Sequence, residues 1–147
     1  MTKMRLAGPA DGERLDVLGA AMIVKTDPGG DGVFVADHSV PPGYFVPPHA
    51  HDDDDETLMV VDGALTLLGP AGSVVAGAGS CAHLPRGSVH GFRNDTSSPV
   101  RVLVIARPGL QAAEMFRHLD RAGRAAPGGL TPPEIGDICG QYGVRMA

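Results

Sequence analysis

The chain has 147 residues, of which 43% are hydrophobic and 20% charged, and its formal net charge is −5 at pH 7. Its length suits a single domain of 1–147, and its composition is that of an ordinary soluble globular protein. Because the sequence has no basic cluster to neutralise phosphates and no apolar run long enough to span a bilayer, we expect neither a nucleic-acid nor a membrane partner.

The N-terminal stretch, residues 1–16, contains no apolar core and no cleavage-like site. We therefore expect no signal peptide and place the protein in the cytoplasm. The two cysteines, Cys81 and Cys139, lie far apart in the sequence. In a reducing compartment we expect both to be free thiols rather than a disulfide.

The next hundred or so residues are punctuated by turn-forming residues. The chain holds 21 glycines and 13 prolines, which separate short runs of Val, Leu, Ile and Phe, a rhythm typical of an all-β sandwich or barrel. Asp62-Gly63 is a hairpin signal, and the cluster at 27–32 predicts a turn. We predict strands over 15–26, 33–40, 44–51, 56–61, 64–68, 73–76, 81–84, 88–94 and 100–106.

After Pro108 the pattern becomes helical. A first helix is predicted over 110–123, where apolar residues fall three apart. Thr131 can cap a second helix, with Pro132 in its first turn and Glu134 completing a capping box. We interpret both helices as a cover over an open end or face of the β structure.

Two histidines predict a metal site. His49 and His51 are two apart on a predicted strand, so their side chains share one face. Asp52–Asp55 then turns the chain, and Glu56 opens the next strand beside them. The four aspartates are rival carboxylates, but we interpret them as a solvated loop. Two histidines and one carboxylate can occupy one face of a metal and leave other positions open.

His90 opens a later strand and can supply a third imidazole. Three neutral nitrogens and one carboxylate oxygen suit one divalent transition metal, namely Fe, Ni, Co, Mn, Cu or Zn. Calcium and magnesium prefer oxygen ligands and fit poorly. The sequence leaves the identity of the metal open.

The spacing of these residues is similar to two motifs of the cupin superfamily. The first motif, G-x5-H-x-H-x4-E-x6-G, is matched by Gly43, His49, His51, Glu56 and Gly63. The second motif, G-x5-P-x-G-x2-H-x3-N, is matched by Gly79, Pro85, Gly87, His90 and Asn94. The resemblance covers about 15–106 and implies a jelly-roll β-barrel, to which a helical tail of about 110–147 is added. It also implies that the metal ligands are His49, His51, Glu56 and His90.

Within this superfamily the chain most resembles small single-domain bacterial members of the quercetin 2,3-dioxygenase-like group. Thr57-Leu58-Met59-Val60 departs from relatives that often carry aromatic residues after the glutamate, which indicates a different or wider pocket. The resemblance also implies a homodimer, because an N-terminal strand often pairs across two such barrels.

A substrate pocket is predicted from strand parity with the ligands. The residues expected to line it are Phe45, Leu58, Val60, Phe92, Val102 and Val104. Such a pocket is apolar except at the charged metal site, which suits a flat, mostly carbon molecule with an enolic or phenolic oxygen. His38 and His83 have no motif support, and we interpret His83 as outward-facing or packed. Cys81 is expected to be a small buried side chain.

Three functions remain open at this point. The first is a metal-dependent dioxygenase in which Glu56 accepts a substrate proton. The second is a non-oxidative cyclase or isomerase of polyketide-type substrates, with the metal as Lewis acid. The third is a cupin that binds a small molecule without catalysis, against which the full ligand set argues.

Overall fold

The structure is a computed structural model that describes residues 3–147, so residues 1 and 2 of the stretch expected to lack a signal peptide lie outside it. The strands are β1 (Glu13–Val17), β2 (Ala20–Thr26), β3 (Phe34–Val40), β4 (Phe45–His51), β5 (Asp55–Asp62), β6 (Ala64–Gly69), β7 (Gly72–Gly77), β8 (Cys81–Leu84), β9 (His90–Arg93), β10 (Val100–Arg107) and β11 (Val144–Met146). The helices are α1 (Pro28–Asp31), α2 (Leu110–Ala125) and α3 (Pro132–Gly140).

The strands form two antiparallel sheets in a jelly-roll arrangement. The six-stranded sheet has the order β1-β2-β3-β10-β5-β8, and the five-stranded sheet has the order β11-β4-β9-β6-β7. One cluster of buried apolar side chains joins strands of both sheets to α2 and α3. Alternating burial along β10 and β3 sends every second side chain into this core.

The prediction of a barrel needs a correction. Within residues 3–147 no strand of one sheet hydrogen-bonds to a strand of the other, so the two sheets are not closed. Helix α2 packs against the edge strand β1, and α3 packs against the edge strand β11. The opening on that side is therefore covered by helices, as the sequence predicted, rather than closed by strand pairing.

The N-terminal strand predicted over 15–26 is wrong, because it is a hairpin of β1 and β2. Leu18 and Gly19 form its turn with positive φ angles of 55° and 92°. The Asp16 carboxylate accepts a hydrogen bond from the Gly19 amide at 2.7 Å and stabilises that turn. Only one glycine interrupts this apolar run, so strand pattern alone did not indicate the reversal.

Two other local elements differ from expectation. Residues predicted as a turn form the short helix α1, capped by the Asp27 side chain. The C-terminal β11, which was not predicted, pairs with β4. Helices α2 and α3 were predicted, and α3 begins with the Thr131–Glu134 capping box.

No helix in residues 3–147 is long and apolar enough to cross a membrane.

Candidate metal centre

The histidines of β4 are placed by strand pairing. His49 lies opposite His90 of β9, and His51 lies opposite Val144 of β11. Both histidines are buried, with 8% and 6% of their surface exposed. Glu56 approaches from β5 in the other sheet and is also buried. The four predicted ligands therefore meet between the two sheets.

The four side chains converge on one point. One ligand atom from each of His49, His51, Glu56 and His90 lies within 4.8 Å of the others. His90 Nε2 lies 2.9 Å from Glu56 Oε2, and His51 Nε2 lies 3.4 Å from the same oxygen. His49 Nε2 and His51 Nε2 are 3.2 Å apart. These four residues could hold a metal ion.

The backbone orients two of the imidazoles. His49 Nδ1 donates to the Pro47 carbonyl oxygen at 2.9 Å, and His90 Nδ1 donates to the Ser88 carbonyl oxygen at 3.0 Å. A carbonyl can only accept, so each ring keeps a proton on Nδ1. His49 therefore turns an Nε2 lone pair inward, whereas His90 Nε2 donates to the Glu56 carboxylate at 2.9 Å and would lose that proton on binding a metal. Metal-bound histidines are commonly oriented in this way by their second nitrogen.

The charges of the cluster are set by burial and by contact. Burial lowers the pKa of His49 to about 4, so its ring is neutral at neutral pH. Burial alone would raise the pKa of Glu56, but the hydrogen bond from His90 and the nearby imidazoles bring that pKa below its usual range. Burial opposes the charge on His90, yet contact with Glu56 raises the pKa of that imidazole.

These donors fit a divalent transition metal. Neutral imidazole nitrogens and an ionised carboxylate are the forms that bind metal. The inward lone pair of His49 faces the nitrogen of His51 at 3.2 Å, a contact that a cation between them would stabilise. His49, His51 and His90 would bind through Nε2, and Glu56 through Oε2.

A glycine next to a ligand allows the strands to meet, and sequence reasoning missed it. The pairing of β4 with β9 shifts between Val46 and His49, where β4 carries Pro47 and Pro48. A Cβ atom on Gly91 would lie 2.6 Å from the Val46 carbonyl oxygen. Only glycine lets β9 approach this irregular part of β4, which keeps His90 opposite His49.

The interpretation of the aspartates as a solvated loop is wrong for Asp54. Its side chain is buried and accepts hydrogen bonds from the backbone amides of Gly109 and Ala112 at 2.7 and 3.1 Å. These amides open α2, which has no cap from its own N-cap residue. Asp55 pairs with Arg86, and Asp52 pairs with Arg145. The acidic loop therefore anchors neighbouring elements to the start of β5.

The ligand cluster opens onto a cavity of about 690 Å³. His49, His51 and Glu56 line it, and most of the remaining wall is apolar. Of the residues predicted to line the pocket, Phe45, Phe92 and Val104 do so, with Phe45 more than half exposed. Leu58, Val60 and Val102 are instead buried in the core, because parity selects the inner face but does not tell which part of it stays open.

The C-terminal cover, which we define as residues 110–147, supplies a large part of the cavity wall. Its lining residues are Met115, Phe116, Leu119, Pro132, Ile135, Cys139, Val144, Met146 and Ala147. Sequence reasoning assigned none of them to the site, because their approach depends on long-range packing.

The other histidines and cysteines named in the sequence analysis, and Asn94, lie outside the ligand cluster. His83 is exposed on the edge strand β8. Cys81 is exposed, so the expectation of a buried side chain is wrong, whereas Cys139 is buried. Asn94 is buried and donates to the Val40 and Ser98 carbonyl oxygens, which fixes the loop after β9. His38 is buried on the cavity wall, a position that no motif indicated.

Comparison with known families and structures agrees with this fold. The family described as Cupin domain matches residues 36–106. A sugar phosphate isomerase from a cupin superfamily from Silicibacter pomeroyi is 27% identical, with a TM-score of 0.63 over 70% of this chain and 75% of that one. A search of curated proteins by sequence found no match.

Two further solved structures share the fold at lower identity. The polyketide cyclase RemF from Streptomyces resistomycificus is 23% identical, with a TM-score of 0.62 over 72% of this chain and 80% of that one. KdgF from Halomonas sp. is 18% identical, with a TM-score of 0.63 over 72% of this chain and 94% of that one. The residues that match the Cupin domain family, 36–106, comprise both ligand motifs.

Proposed function

We propose that this cupin is an enzyme that holds one divalent transition metal at His49, His51, Glu56 and His90. Its substrate is a small, mostly apolar molecule with an enolic or phenolic oxygen. The observation that carries the proposal is the position of the buried ligand cluster on the wall of a large, mainly apolar cavity. A purely structural cluster would not need a cavity at its open side.

When bound, the metal would supply a Lewis acid for a substrate oxygen and, if redox-active, a means of activating dioxygen. The apolar wall orients the carbon skeleton and limits the access of water. Glu56 is the proposed catalytic residue, because its carboxylate is ionised and lines the cavity. It accepts the proton of the substrate hydroxyl when that oxygen arrives beside the ligand cluster.

The reaction that we propose first is dioxygenation of the enolic or phenolic substrate. Four protein ligands can leave metal positions open for both substrate and dioxygen. The resemblance of the chain to the quercetin 2,3-dioxygenase-like group of cupins also supports this reaction. A dioxygenase should convert 3-hydroxyflavone, our test compound, only in air and should add two oxygen atoms to the product. Equal conversion with and without dioxygen would contradict this reaction.

A non-oxidative cyclase or isomerase is the second candidate. The fold is shared with a polyketide cyclase, and the cavity wall is apolar enough for a polyketide. None of the described residues lining the cavity is Arg or Lys, so a sugar phosphate would find no basic side chain for its phosphate. This candidate predicts conversion without dioxygen and no added oxygen in the product.

We also propose a homodimer that acts in the cytoplasm. Strand β1 lies at the edge of the six-stranded sheet, where an edge strand can pair with a second copy, although its Asp16 amide already donates to Asp120 of α2 at 2.8 Å. Pairing with a second copy would extend that sheet across the dimer. Light scattering at working concentration should give the mass of two chains, and the mass of one chain would contradict the dimer.

A further inference from the structure

The cavity wall also carries a buried polar side chain, His38, that is not one of the four proposed metal ligands. His38 lies on β3, where it pairs with Met22 on one side and Val102 on the other. Only 3% of its surface is exposed, and it lines the cavity. An imidazole between two apolar neighbours needs a polar partner for each nitrogen.

Among the residues that the structure describes, one nitrogen of His38 has such a partner. Nδ1 lies 3.2 Å from the Ala21 carbonyl oxygen. Because a carbonyl accepts, the proton is on Nδ1 and Nε2 carries a lone pair. Within residues 3–147 the Nδ1 contact is the one hydrogen bond of the His38 ring, and no fully buried side-chain nitrogen lacks a partner, so Nε2 keeps some access to the cavity. This nitrogen is therefore the one that His38 offers to the cavity.

The neighbouring groups leave His38 and Tyr44 as hydrogen-bond acceptors on this part of the cavity wall. Burial lowers the pKa of His38 to about 4, so the ring is neutral at neutral pH and Nε2 accepts rather than donates. The nearby Tyr44 ring stands edge-on to His38, with centroids 6.2 Å apart. Its hydroxyl proton is given to the Val17 carbonyl oxygen at 2.6 Å. Both side chains can accept a hydrogen bond from a ligand.

We infer that His38 is a specificity-determining residue whose Nε2 accepts a hydrogen bond from a hydroxyl or amine of the ligand. The inference rests on the proposed function and adds a second polar group to the proposed substrate. One polar end is the metal-binding oxygen, and the other is a hydrogen-bond donor held at His38.

The strand arrangement gives the approximate separation of these two ends. His38 on β3 and Glu56 on β5 are separated by β10, which corresponds to roughly 10 Å between strand axes. Across the sheet, His38 pairs with Val102, and Val102 pairs with Val60. Val60 is four residues from Glu56 on β5, so His38 and Glu56 are also separated along the strand direction. A single ring is too short to reach both, so the ligand class is an extended molecule with two or more rings.

A matched pair of compounds can test this inference. 3-Hydroxyflavone and 3,4′-dihydroxyflavone share the same metal-binding oxygens and differ by one hydroxyl on the distal ring. We expect zinc-loaded wild-type protein to bind the dihydroxy compound about tenfold more tightly, since an unpaired buried acceptor disfavours the compound that lacks the donor. Fluorescence titration measures both dissociation constants without any turnover.

Variants of the wall identify the acceptor. His38→Leu should reduce the preference to about one, while Met22→Leu, which alters the same wall without removing an acceptor, should keep it. His38→Gln restores an acceptor and should recover part of the preference. If His38→Leu does not fold, His38→Phe keeps the ring volume and removes both nitrogens.

The metal content of each sample separates the two proposals. If wild-type protein holds metal but binds both compounds equally, the inference about His38 is overturned and the metal site stands. A preference that survives in His38→Leu or His38→Phe also overturns it. Wild-type protein that cannot be loaded with zinc would instead contradict the proposed function.

Discussion

The ligand cluster and the C-terminal cover line the same cavity, but different contacts hold them. The cluster lies on β4, β5 and β9, and its polar atoms contact one another inside the protein. The cover ends on β11, which pairs with the outer edge of β4, and the exposed ion pair of Arg145 with Asp52 adds to this contact. The Ala147 amide also donates to the Pro48 carbonyl oxygen at 2.9 Å.

This difference indicates that the ligand cluster and the C-terminal cover have separate roles in binding. The cluster should decide whether metal is held, because each ligand depends on the others for its charge and orientation. The cover should decide which molecule fits, because it supplies apolar wall but none of the four predicted ligands. Changes in the cluster should therefore abolish metal binding, and changes in the cover should leave it intact.

The largest effect is expected for Glu56→Ala. The change removes the only carboxylate of the cluster and leaves His90 without its buried partner. Metal affinity should fall at least about a hundredfold, more than for loss of an outer hydrogen bond. Competition with a fluorescent chelator measures this affinity, with Glu114→Ala on the surface of α2 as the control. Unchanged affinity would mean that the cluster is not the metal site.

The next effect is the pH dependence contributed by His38. Its folded-state pKa of about 4 lies below the unfolded value of 6.5, so the unfolded chain binds more protons between these values. Stability therefore rises with pH across this window and is lost as the pH falls, by about 3 kcal/mol for this residue. Urea unfolding of metal-free wild type and His38→Phe at several pH values measures the difference. Equal pH slopes would contradict the assigned environment of His38.

Gly91→Ala should affect the ligand cluster through the backbone. The new Cβ atom would clash with the Val46 carbonyl oxygen and push β9 away from β4. We expect a loss of about 2 kcal/mol in unfolding free energy and weaker metal binding. Gly77→Ala is the matched control, because a Cβ atom there meets nothing within 4 Å. If both variants behave alike, the close approach at Gly91 does not matter.

The smallest effect is expected in the cover. Arg145→Ala removes the ion pair with Asp52, whose side chains are both well exposed. It should cost at most about 1 kcal/mol in unfolding free energy and leave metal content unchanged. Denaturant unfolding and metal analysis of the same sample test both points. Loss of metal in this variant would break the distinction between cluster and cover.

The sequence predicted the parts of the molecule that depend on local spacing. His49 and His51 share a face because strand side chains alternate, and the capping box at Thr131 and Glu134 starts α3. Contacts between distant residues were not predictable in this way. Asp54 caps a helix that begins more than fifty residues later, and β11 pairs with β4 across most of the chain.

The cavity lining, too, was predictable only where it depends on local spacing. Phe92 was predicted to line it from parity with His90, and the structure places it there. His38 was left without a role because only the packing of β3 against the rest of the wall reveals its free nitrogen. Strand parity distinguishes inside from outside, but the open volume depends on how the C-terminal cover packs.

The most direct test is elemental analysis of purified wild-type protein beside His49→Ala, with thermal unfolding to confirm that both are folded. Wild type should carry close to one metal ion per chain, and His49→Ala should lose it, because His49 supplies one of the three inward imidazole nitrogens. If folded wild-type protein holds no metal even after reconstitution, or if His49→Ala retains it fully, the account of this site is contradicted.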